Sequence, residues 1–198
     1  MKLILSPHPD DAEYSMSGTI LKQKDTEWFV VTMSNGGDND DTTGYNRIKE
    51  SEEFWSMFPN VKCSNLNQDT IAKMTEWQLV SELDEVIPLF DTVYVPPLED
   101  NHFEHRKINQ VARAALRGLD VTLIEYYTPS TRHTWQPNLF VDVTEQLDEK
   151  LSRMRVFESQ LDRFYFDETN LNIFHEDYFC RLRGLSKVEK FKVEYMFL

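Results

Sequence analysis

Short apolar runs alternate along the chain with longer stretches of helical spacing. Residues 3–5, 28–32, 61–66, 92–95 and 121–126 are rich in aliphatic, β-branched or aromatic side chains. Each is bounded by proline, glycine or a polar cluster, which predicts buried strands. Residues 12–23, 45–58, 76–90 and 105–117 carry apolar positions three or four apart and predict helices. Ile48, Trp55 and Phe58 mark the core face of the second. Trp77, Val80, Leu83 and Ile87 mark the third, and Ile108, Val111, Ala112 and Ala115 the fourth. Gly118 stops the last of these. Strands alternating with helices of this length make parallel βαβ units, hence a mostly parallel α/β sheet with helices on both faces. Beyond it, residues 139–143 read as extended. Thr144 is expected to cap a long helix with Leu147, Leu151, Met154 and Leu161 on one face. A helix over 171–182 and a final strand over 191–197 complete a single domain spanning residues 1–198.

Two strand ends carry polar clusters. The first strand is stopped by Ser6-Pro7 and runs into His8-Pro9-Asp10-Asp11-Ala12-Glu13. Proline cannot donate to a sheet ladder, and it stiffens the turn between the imidazole and the carboxylates. Adjacent carboxylates cannot face the same way, so one can bind a metal while the other points to a water. Alone, the motif serves equally well as a helix cap. The fourth strand ends at Pro96-Pro97, followed by Glu99-Asp100-Asn101-His102-Phe103-Glu104-His105 and a helix. In an open parallel sheet both clusters fall on the same edge, where ligands sit. Together they offer His8, Asp10, Asp11, His102 and His105. Catalytic zinc sites use three protein ligands and leave a position open. Five groups exceed three, and the surplus supplies a base and an oxyanion partner for hydrolysis.

Composition removes several other classes of function. With 34 acidic and 21 basic residues the net charge is -13, which disfavours nucleic-acid backbones and anionic membranes. Hydrophobic content of 40% supports one core that buries roughly 70% of the unfolded surface. No apolar run approaches a membrane span, and the N-terminus lacks a signal-peptide pattern, so a cytoplasmic protein is expected. Cys63 and Cys180 have no metal-like spacing and read as buried free thiols of a reducing compartment. The glycine-bearing loop 34–44 lacks a Walker lysine and reads as an active-site rim rather than a nucleotide cradle. Oligomeric state is left open.

Ser6-Pro7-His8-Pro9-Asp10-Asp11-Ala12-Glu13, continuing to Ser17-Gly18-Thr19-Ile20, resembles the signature of the PIG-L/LmbE-like zinc-dependent N-acetylglucosaminyl deacetylases. Arg47-x-x-Glu50, the segment 97–105, the block Pro137-Asn138 to Thr144 with Lys150 and Ser159-Gln160, and Arg183-Gly184 extend the resemblance over most of the chain. It implies a Rossmann-like three-layer fold and hydrolysis of an N-acetyl group on a small amino-sugar substrate. It implies that His8, Asp11 and His105 hold Zn2+, with Fe2+ equally suited to such ligands. It assigns Asp10 as general base and His102 as oxyanion partner, and it raises Arg47 from a surface residue to a substrate contact. Glu104 stands where the family usually has Asp, and there it would orient His102. Asp69 at a strand end, His133 and Trp135 on the loop 128–138 are further candidate substrate contacts. A cap, a surface histidine and a core aromatic are their respective structural alternatives. Two rival readings are a metal-dependent amidase or esterase on a non-sugar substrate and a sugar-binding module without turnover.

Overall fold

The computed structural model describes residues 1–36, 41–66 and 70–197, with residues 41–45 given by their backbone only. Seven strands among these residues form one sheet. They are β1 (Lys2–Ser6), β2 (Trp28–Thr32), β3 (Val61–Asn65), β4 (Thr92–Val95), β5 (Thr122–Tyr126), β6 (Leu139–Asp142) and β7 (Val188–Tyr195). Their spatial order is β3-β2-β1-β4-β5-β7-β6. The first five are parallel, and β7 lies antiparallel between β5 and β6. The chain winds outward from β1 to β3 and returns to β4 on the other side of β1. That reversal opens a crevice at the carboxyl ends of β1 and β4.

The helices are α1 (Asp11–Lys22), α2 (Asp41–Ser56), α3 (Glu76–Val86), α4 (Phe103–Ala115), α5 (Leu147–Met154), α6 (Glu168–Phe174) and α7 (Tyr178–Arg181). Strand side chains alternate between two cores. Ile4, Val30, Tyr94 and Ile124 meet Met16 and Ile20 of α1, Phe54 and Trp55 of α2, and Met154 of α5. Leu3, Leu5, Val93 and Val95 meet Leu79 and Leu83 of α3 and Ile108 and Val111 of α4. The result is the expected three-layer α/β architecture. α1 approaches the sheet closely at Gly18, where an added Cβ would lie 2.8 Å from Glu189 Oε1 and 3.0 Å from Val143.

Several local expectations are corrected. Trp77 is 78% exposed, because α3 turns Leu79, Leu83 and the following Ile87 inward at a spacing of four. The Thr75 hydroxyl accepts the Gln78 N–H at 3.2 Å, while the Gln78 side chain accepts from the Thr75 N–H at 2.9 Å, and this sets where the helix starts. The long helix stops at Met154. Beyond it, the Ser159 N–H bonds the Glu50 carboxylate of α2 at 2.8 Å, drawing the chain into short 3-10 turns and leaving Leu161 exposed. Thr144 caps nothing; its hydroxyl donates to Asp142 Oδ1 at 2.6 Å. The tail helix is split because Asp177 accepts the Cys180 N–H at 3.0 Å and starts a new turn. α2 begins at Asp41, so Gly44 lies inside it; residues 37–40 of the expected rim loop lie outside the described residues. Cys180 is buried as expected, but Cys63 is exposed on the edge strand β3. Among the described residues, no helix is long and apolar enough to cross a membrane.

Candidate functional site

The turn after β1 is held by its own hydroxyls. Ser6 Oγ donates to the His8 carbonyl at 2.8 Å and accepts the Ala12 N–H at 3.2 Å. Ser34 Oγ donates to the Pro7 carbonyl at 2.9 Å. Asp10 sits at φ 111°, the one non-glycine residue with positive φ among the described residues. Such a backbone costs roughly 1–3 kcal/mol and persists only where its surroundings enforce it. Here the enforcing group is Glu13, fully buried, whose Oε2 accepts the Asp10 N–H at 3.1 Å while the Ser51 hydroxyl holds its other oxygen. Burial pushes the Glu13 carboxyl up to about 7.

The turn after β4 is organised by Asp100, which is wholly buried. Its Oδ1 accepts the His102 N–H at 2.7 Å and the Ser130 hydroxyl at 2.6 Å. Its Oδ2 accepts the Thr128 hydroxyl at 2.5 Å and lies 3.1 Å from His105 Nδ1. α4 then starts with Phe103, which places Glu104 and His105 in its first turn. Because β1 and β4 are parallel neighbours, the two turns adjoin.

They converge on Asp11. Its Oδ2 lies 2.9 Å from His8 Nδ1 and 3.2 Å from His105 Nε2. His8, His102 and His105 each offer a nitrogen within 4.8 Å of the others'. A tetrahedral zinc with ligand bonds near 2.1 Å needs donor atoms roughly 3.4 Å apart. The separations of Asp11 Oδ2 from the two imidazole nitrogens, 2.9 and 3.2 Å, come near that spacing, and these donors suit a divalent ion. Both imidazoles also have a carboxylate on the nitrogen turned away: Glu104 Oε2 at 2.6 Å from His8 Nε2, and Asp100 on His105 Nδ1. Such outer partners fix the tautomer of metal-ligating histidines.

Charges in the cluster shift one another. Burial opposes ionisation of Asp11, but His105 and His8 outweigh it and hold the carboxyl well below its usual range. His105 is pushed up to about 10 against burial, mainly by Asp11 and its bond to Asp100. Asp10 moves the other way. Burial raises it to about 6, with Arg47 pulling against the rise. Asp10 is 4% exposed, and its Oδ2 is buried without a hydrogen-bond partner among the described residues. His102 is lowered by burial and by the neighbouring His8.

A cavity of about 230 Å³ opens over this cluster. Tyr14, Thr70, Ser130, Arg163, Tyr165 and Phe166 also line it. Arg47 lines it too; both its terminal nitrogens are committed, while its Nε is buried without a hydrogen-bond partner among the described residues. Nη2 donates to Asp10 Oδ1 at 2.9 Å and to the Pro9 carbonyl at 3.0 Å, and Nη1 to the Gly36 carbonyl at 2.7 Å. A Cβ at Gly36 would collide with that guanidinium. Arg47 is therefore placed to position Asp10 from within the cavity lining. Glu104 is also placed differently from expectation. Its longer side chain passes His102 and ends on His8, on the Thr70 hydroxyl and on the Ala72 N–H at 2.7 Å.

Trp135 is 4% exposed, away from the cavity, because its indole N–H is taken by buried Glu125 Oε2 at 2.7 Å. His133 is exposed and does not line the cavity. Asp69 lies outside the described residues. Sequence reasoning missed Asp100, Glu13 and the 163–166 wall. Asp100 had a signal, an acid two residues before one histidine and five before another; the wall had none, lying far along the chain from both motifs.

The family described as PIG-L: GlcNAc-PI de-N-acetylase matches residues 3–116, a stretch that holds every histidine and carboxylate of the cluster. No curated protein matches the chain. Among solved structures it is similar to the N,N'-diacetylchitobiose deacetylase of Pyrococcus horikoshii, at 24% identity over 97% of this chain and 82% of that one, TM-score 0.79. It is similar to the A40926 pseudoaglycone deacetylase Dbv21, at 16% identity over 97% and 96%, TM-score 0.75. It is equally similar to GalB of Pseudomonas putida KT2440, a 4-carboxy-2-hydroxymuconate hydratase, at 14% identity over 100% and 98%, TM-score 0.79. These three likenesses establish the fold, and the match over more than half of its length places the chain in the PIG-L family of GlcNAc-PI de-N-acetylases.

Proposed function

We propose that the protein is a metal-dependent hydrolase that removes the acetyl group from an N-acetylglucosamine-type sugar or a small conjugate of one. His8, Asp11 and His105 would hold the ion, zinc or ferrous iron, by the spacing of their donor atoms. When bound, it supplies Lewis-acid chemistry: a lowered pKa for water and a polarised acetyl carbonyl.

The remaining groups divide the proton work. Asp10 Oδ2 takes a proton as water adds to the acetyl carbon. Its pKa of about 6 suits a base near neutrality and lets it return that proton to the departing nitrogen. The C–N bond then breaks, leaving acetate and a free amine. Arg47 occupies Oδ1, so Oδ2 is the oxygen left free to take the proton. His102, kept neutral by its lowered pKa, donates an N–H to the oxyanion. The wall of Tyr14, Tyr165 and Phe166 keeps bulk water from the reacting carbon.

The observation that carries this reading is Asp10 Oδ2, buried and unspent beside a set of converging ligands. Acetate release from N-acetylglucosaminyl conjugates, measured with metal-loaded and chelated protein, tests it. Turnover that chelation abolishes is expected. Acetyl-amino acids and simple esters in the same panel separate the non-sugar amidase or esterase. Because the fold also serves a hydratase, an unsaturated acid that gains water without acetate release would redirect the assignment. Sugar binding without any turnover would favour a binding module.

A further inference from the structure

Glu104 is the residue of the cluster whose bonds are least expected. Its carboxylate reaches past the nearest imidazole, and each of its oxygens is committed. Oε2 lies 2.6 Å from His8 Nε2; Oε1 accepts the Thr70 hydroxyl and the Ala72 N–H. One turn further along α4, Lys107 Nζ donates to the Ile71 carbonyl at 2.9 Å and to the Met74 carbonyl. Two residues one turn apart on α4 thus hold the 3-10 turn Ile71–Lys73, the acid at the Ala72 N–H and the base at the Ile71 and Met74 carbonyls. Thr70 at its start lines the cavity.

We propose that Glu104 is a positioning residue that holds His8 in the tautomer protonated on Nε2, directing the Nδ1 lone pair at Asp11 and His105, and that ties this imidazole to the cavity wall at Thr70. The arrangement mirrors Asp100, which does the same for His105 from the opposite side. The two carboxylates together make Nδ1 of one imidazole and Nε2 of the other face inward. Chain length decides the assignment. A side chain one methylene shorter, starting from the same backbone position, falls short of His8 by roughly 1.5 Å while Thr70 and Ala72 stay in place. Glutamine keeps the shape but loses the charge-assisted bond.

The inference rests on His8 being a metal ligand, so the experiment includes a control that tests that separately. Zinc affinity is measured by chelator competition for the wild type, Glu104→Gln, Glu104→Asp and His105→Ala, with 15N chemical shifts of His8 recorded for the folded variants. Loss of an outer partner of this kind costs about 10- to 100-fold in metal affinity. We expect that loss in both Glu104 variants, together with His8 shifts that move from a single tautomer to a mixture. Wild-type affinity in Glu104→Asp, or unchanged His8 shifts in Glu104→Gln, would overturn the proposal. If His105→Ala bound zinc as tightly as wild type, the metal site itself would be misplaced; if only the Glu104 variants were unaffected, this inference alone would fail.

Discussion

Two buried clusters of charged and imidazole side chains meet α1, one along its backbone from Tyr14 to Thr19 and one at its N-terminal end, and they differ in how their bonds are used. In the first, Lys150 Nζ is wholly buried and donates to Glu189 Oε1 at 2.6 Å, to the Tyr14 carbonyl at 2.5 Å and to His175 Nε2 at 2.9 Å. Glu189 also accepts the Gly18 and Thr19 N–H groups at 2.9 and 2.6 Å, and His175 Nδ1 donates to the Leu171 carbonyl at 2.6 Å. Burial and the adjacent ammonium hold His175 well below its usual range, so it is a neutral acceptor. Every polar atom of that trio has a partner. The cluster braces α1, α5, α6 and β7. The cavity cluster is likewise built from charged and imidazole side chains, yet it leaves Asp10 Oδ2 unpartnered and turns two imidazoles toward one carboxylate oxygen. Burial and perturbed titration are common to both; an unspent acceptor on a cavity-lining residue belongs only to the second.

Substitutions break the comparison in different currencies. Asp10→Asn removes the base without removing a metal ligand, so acetate release falls about 10²- to 10⁴-fold while zinc content and thermal stability hold. Lys150→Met leaves Glu189 charged and buried without its cation. The expected cost is about 3–5 kcal/mol of stability by denaturant titration, with zinc affinity of the remaining folded protein unchanged. A Lys150→Met protein that kept its stability but lost turnover would reverse the roles assigned to the two clusters.

A smaller effect concerns pH. Metal ligation must displace protons from the imidazoles. With His105 raised to about 10, zinc affinity is expected to climb as pH rises toward that value, by up to roughly tenfold per unit for one released proton. In the metal-free protein the protonated imidazole stabilises the fold fully below its unfolded pKa of about 6.5. That contribution is lost as pH rises through about 10, so metal-free protein should soften in alkali where metal-loaded protein does not. Zinc affinity flat from pH 6 to 9 would remove protons from this account. Smallest of all is Trp135→Phe, expected to cost about 1 kcal/mol through one lost bond to Glu125 and to leave KM unchanged.

How far the sequence carried is uneven, and the unevenness has physical causes. β2 and β4 were legible to the residue because β-branched and aromatic runs end abruptly at turn formers. The two strand-end motifs were legible because parallel βαβ winding puts successive carboxyl ends on one edge. Arg47 was not. Local spacing marks it as a surface partner of Glu50, whereas the fold sends the two side chains to different places, Asp10 and Ser159. Trp135 suggested a sugar platform, but a buried indole needs an acceptor, and Glu125 lies ten residues earlier on β5 with no local pattern to announce it. The wall at Arg163, Tyr165 and Phe166 depends on long-range ties such as the bond from Tyr14 Oη to the Tyr165 carbonyl at 2.8 Å, which no window of sequence encodes.

The central claim is that His8, Asp11 and His105 form one metal site with Asp10 beside it as an unligated base. Anomalous diffraction at the zinc edge from zinc-soaked crystals reads this directly. The account predicts a single strong peak bonded to His8 Nδ1, Asp11 Oδ2 and His105 Nε2, with Asp10 Oδ2 near but not bonded. A peak held by His102 in place of Asp11, or one bonded to Asp10, would contradict it.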